Sequence, residues 1–130
     1  MVVALTLMLS SLAQTSTASG SAQGFQPLPS LEISAPKDVA SVQALSAALD
    51  ALGEKVTACV KAGQASGTCQ CRYPQDLLLL RKRYESVTRE HPDWKDQLLS
   101  YQYVNKEGRN ISGVLAMQTL RRQLDALKCE

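Results

Sequence analysis

The chain has 130 residues, 45% of them hydrophobic, and 14 Lys plus Arg against 12 Asp plus Glu give a formal net charge of +2. That length leaves room for one small domain. So balanced a charge implies no particular partner, and in particular no polyanion.

The charge is unevenly spread. Residues 1–31 contain no Lys, Arg, Asp or Glu, so every charged side chain lies from Glu32 onward. Val2 to Leu9 is a short apolar run, followed by small-residue sites at Ser11-Leu12-Ala13 and Gly20-Ser21-Ala22. This pattern predicts a secretory signal over 1–22, although no basic residue precedes the run. A membrane anchor needs about 20 apolar residues, and Ser10, Ser11, Gln14 and Thr15 interrupt this one early. The sequence therefore predicts an exported chain, periplasmic or extracellular, with no membrane span. Residues 23–36 are rich in Ser, Ala, Gln, Gly and Pro and read as a flexible linker. The fold is assigned to 37–130.

Between Asp38 and Ala62, Val42, Leu45, Leu49, Leu52, Val56 and Cys59 recur at alternating spacings of three and four, which places them on one helical face. Pro36 suits a first turn and Gly63 a C-terminal stop. A coiled coil is the alternative, but the e/g charge pairing it needs is missing. Gly63 to Tyr73, with Cys69-Gln70-Cys71, reads as a loop pinned by sulfur. Pro74 and Asp76 open a second helix whose stripe is Leu77, Leu80, Tyr84 and Val87, widened by Leu78 and Leu79. His91-Pro92 ends it, since the residue before proline avoids helical backbone. A short turn over Asp93 to Gln97 carries Trp94.

Leu98 to Val104 alternates, with Leu99, Tyr101 and Tyr103 on one side. Asn105 to Asn110 has turn chemistry around Gly108, and Ile111 to Ala116 returns as a second strand. Helical spacing from Ser112 competes with that hairpin. Met117 to Lys128 is the last helix. The fold class expected is α+β, mostly helical: two helices joined by a cysteine loop, a short hairpin and a C-terminal helix. An all-α three-helix arrangement is the alternative.

Cys59, Cys69, Cys71 and Cys129 make an even set, which in a short exported chain reads as two disulfides. Bonding Cys69 to Cys71 across one residue strains the bridge, so Cys59–Cys69 with Cys71–Cys129 is the pairing favoured over the crossed one. A strained Cys69–Cys71 pair would instead suit a thiol–disulfide oxidoreductase. Zinc is disfavoured, because the cysteine spacing lacks paired short ligand motifs. His91 is the only histidine, and no nucleophile motif surrounds it.

Arg81, Lys82, Arg83, Arg89, Arg121 and Arg122 could line a basic strip, but Glu85, Glu90, Asp93 and Asp96 interrupt it, so no nucleic-acid partner is expected. Asn110-Ile111-Ser112 is a glycosylation sequon, relevant only in a eukaryotic secretory pathway. With no catalytic constellation, cofactor motif or metal set, the reading is an exported, non-enzymatic accessory or protein-binding module. Trp94, Tyr101, Tyr103 and Arg109 are the candidate interface, being amphipathic aromatics beside a charged turn residue.

Overall fold

The computed structural model describes residues 30–129. The expected signal segment and most of the expected linker lie outside those residues. Along the chain run β1 (Ser30–Ile33), α1 (Pro36–Lys61), α2 (Ser66–Gln70), α3 (Pro74–Glu90), a 3-10 turn (Pro92–Trp94), β2 (Leu98–Val104), β3 (Asn110–Ala116) and α4 (Met117–Ala126). The architecture is α+β and mostly helical, with the hairpin rather than an extended C-terminal helix over 98–116.

Local chemistry sets the element ends. Pro36 occupies the first turn of α1, where its missing N–H costs nothing. Asp38 in that turn faces the positive end of the helix dipole, and Lys61 faces the negative end. Gly63 takes φ 97° just beyond the helix. There its N–H donates to the Val60 carbonyl (3.0 Å) and that of Gln64 to the Cys59 carbonyl (3.3 Å), closing a Schellman stop. At the hairpin, Asn105 Oδ1 accepts from the backbone N–H groups of Glu107 (3.0 Å) and Arg109 (2.9 Å), and Gly108 takes φ 78°.

Three features depart from the sequence reading. Ser30–Ile33, inside the segment read as linker 23–36, is a strand paired in parallel with Leu98–Tyr101 of β2. The sheet is therefore three-stranded, in the order β1-β2-β3. The loop between α1 and α3 contains the short helix α2. Leu78 and Leu79 do not widen the stripe of α3: they are 53% and 46% exposed, while Leu77 and Leu80 are buried.

One face of the sheet carries the core. Leu99 pairs with Leu115, and Tyr101 with both Gly113 and Ile33. Against them pack Val42, Leu45 and Leu52 of α1, Leu77 and Leu80 of α3, and Met117, Leu120 and Leu124 of α4. Each fully buried leucine contributes roughly 1.5–3 kcal/mol relative to exposure. The opposite face is uncovered among the described residues, with Val104 63% and Val114 64% exposed.

Candidate functional site

The four expected interface residues divide between core and surface. Trp94 and Tyr101 are buried and belong to the hydrophobic core, so neither can anchor a partner. The reason is register: Tyr101 shares its face with Leu99, and that face meets the helices. Tyr103 also lies on the inner face, half-buried, with its ring 6.1 Å from that of Tyr101. Arg109 is exposed at the hairpin turn.

What the hairpin offers outward is an edge. β3 pairs with β2 on one side and with no other strand among the described residues. Its seven residues, Asn-Ile-Ser-Gly-Val-Leu-Ala, include no charge and no proline. Edge strands are ordinarily guarded by lysine, proline, bulges or a covering element. Here Val114 is exposed instead. The exposed pair Leu78 and Leu79 forms a second apolar feature with Pro74, Gln75 and Lys82 on α3. Four consecutive leucines hid it in the sequence, because a helix that buries Leu77 and Leu80 turns the two between them outward.

The cysteines form Cys59–Cys69 and Cys71–Cys129, and none is free. Cys59 and Cys69 are buried, so the first bond ties the end of α1 to α2 from within. The second joins half-buried Cys71 to exposed Cys129, beyond α4. The Cys69–Cys71 bond does not form, and Cys69 has no exposed surface.

The basic residues are partly engaged inside the fold. Arg81 donates from Nη2 to the carbonyls of Leu124 and Leu127, each at 3.0 Å, capping the end of α4. Arg121 pairs with Asp96 at 2.6 Å. That hydrogen bond and the adjacent negative charge hold the Arg121 guanidinium above its usual pKa. Tyr84 lies near both, and burial, its largest influence, raises the phenol above its ordinary value of 10.0.

The single histidine is held from two sides. Its Nε2 lies 2.9 Å from Asp38 Oδ1. Its ring stacks on Trp94 with centroids 3.6 Å apart and an interplanar angle of 5°. Glu90 lies in the same cluster, and one ligand atom from each of Asp38, Glu90 and His91 falls within 4.8 Å of the others. Sequence spacing gives no sign of this grouping, since Asp38 and His91 are 53 residues apart.

An apolar recess of about 200 Å³ between α1, α3 and α4, lined in part by Leu49, Leu52, Val56, Leu124 and Leu127, is smaller than the usual 300–1,000 Å³ of ligand pockets. No helix among the described residues is long and apolar enough to cross a membrane. No protein-family model, curated protein or solved structure matches the chain.

Proposed function

We propose that this chain is an exported, non-enzymatic accessory module that binds a protein partner, and that the partner adds an extended segment to the free edge of β3. The observation that carries the reading is the unguarded edge: seven residues without charge or proline, Val114 among them exposed. Strand addition draws its affinity from main-chain hydrogen bonds and its selectivity from side chains on alternate faces. The two disulfides support an oxidising compartment. They also hold a small domain firm enough to present a sheet edge.

A photoreactive side chain placed at Val114 in the natively exported protein tests this, with Glu85 on the solvent side of α3 as the control position. One discrete adduct from position 114 and none from position 85 is expected. Val114→Lys, which puts a charge on the edge, should weaken binding of the isolated partner at least ten-fold with melting unchanged. Adducts from a probe at Leu79 with none from position 114 would move the interface to the leucine ridge of α3.

A further inference from the structure

We infer that Asp38, Glu90 and His91 form a binding site for a divalent transition-metal ion, joining the start of α1 to the end of α3. Two local stops assemble it. Pro36 starts α1 so that Asp38 sits in its first turn, and Pro92 holds His91 at φ −133°, ψ 76°, outside the helix that ends at Glu90. The chain turns there, and neighbours 90 and 91 converge on Asp38 from one element while Asp38 reaches them from another.

The separations suit coordination. His91 Nε2 and Asp38 Oδ1 are 2.9 Å apart, and a ligand atom of Glu90 completes a set within 4.8 Å. Metal–ligand bonds of about 2.0–2.2 Å place adjacent ligand atoms roughly 3–4 Å apart. The exposed Glu90 side chain can close the remaining gap by rotation. On binding, the ion takes the place of the proton between His91 Nε2 and Asp38 Oδ1, which passes to solvent, while the ring itself is already held. It lies flat on the indole of buried Trp94, whose backbone N–H donates to the His91 carbonyl at 3.0 Å. A ligand ring already fixed in plane loses little freedom on binding.

The charges agree as well. Two carboxylates beside the imidazole concentrate negative charge that a divalent cation neutralises. Among the described residues, Glu90 enters no ion pair. The donor set is one nitrogen and two carboxylate oxygens, and no thiolate is available, because every cysteine is in a disulfide. Such a set takes Zn²⁺, Co²⁺, Ni²⁺ or Mn²⁺, and three protein ligands leave positions for water.

The stack supplies its own probe, since Trp94 is the only tryptophan in the chain and touches the ligand ring. Co²⁺ titrated into the oxidised full chain at neutral pH should quench tryptophan fluorescence along a saturable 1:1 isotherm, reversed by Zn²⁺. Glu90→Gln and His91→Gln should each weaken Co²⁺ binding at least ten-fold, while Glu85→Gln leaves it unchanged. The Glu90 variant alters an exposed side chain, so its loss of binding cannot be assigned to unfolding, and circular dichroism checks the fold of the His91 variant. Quenching that stays linear to millimolar Co²⁺, or wild-type affinity in either the Glu90 or the His91 variant, would overturn the site.

Discussion

Gly113 shows how narrowly one position is specified. It pairs with Tyr101 across the hairpin, and a Cβ on Gly113 would overlap the tyrosine ring, which is itself buried in the core. The Gly113→Ala variant should lose about 1–3 kcal/mol of stability in urea denaturation, the usual cost of overpacking. Tyr84 offers a test by pH. Its buried hydroxyl has no hydrogen-bond partner among the described residues, and its folded pKa lies above the unfolded value. The folded state therefore holds the phenol proton more tightly, so stability is full below pH 10 and falls as pH rises toward the folded pKa. Tyr84→Phe should be within about 1 kcal/mol of wild type at neutral pH, since it removes an unpaired polar atom. It should also show a shallower loss of stability above pH 10; an equal slope would mean that other groups govern alkaline unfolding. Residue-level roles were only partly legible in the sequence. Alternation put Tyr101 beside Leu99, a sign of the core that the interface reading of Tyr101 passed over, whereas the meeting of His91 with Asp38 is tertiary and leaves no trace in spacing.

Among the elements, α1 and α3 could be read from the sequence because one stripe of each faces the core at helical period. The run Leu77–Leu80 defeats that reading, since four apolar residues in succession fit any face. Its buried pair, Leu77 and Leu80, and its exposed pair, Leu78 and Leu79, should respond unequally to truncation. Leu80→Ala is expected to cost about 2–5 kcal/mol in thermal or urea unfolding, and Leu78→Ala to stay within about 0.5 kcal/mol. The hairpin was legible through its turn: Asn105 and Gly108 supply the side-chain acceptor and the positive φ that the reversal needs. β1 was not. Ser-Leu-Glu-Ile is four residues long, and its pairing is with residues 98–101. Only a contact far along the chain makes it a strand, and no local pattern can report that.

At the scale of the molecule, the parallel pairing of β1 with β2 spans all of α1, α2 and α3, so the sheet is complete only after the helical part has been laid down. Contacts of such long range slow folding. The disulfides span 10 and 58 residues. On the chain-entropy model, Cys59→Ala/Cys69→Ala should lose roughly 3 kcal/mol and Cys71→Ala/Cys129→Ala roughly 4, read from denaturation of the two double variants. The reverse order would assign the larger effect to packing around the buried sulfurs. The two bridges also enclose the exposed turns: the Gly63 stop lies between Cys59 and Cys69, and the Asn105–Arg109 reversal between Cys71 and Cys129. A protease that cuts after Lys61, Lys106 or Arg109 would break the main chain without releasing a fragment. In a protease-rich surrounding the nicked molecule would migrate as one species until a reductant separated its pieces, and its sheet and helices would remain tethered in place.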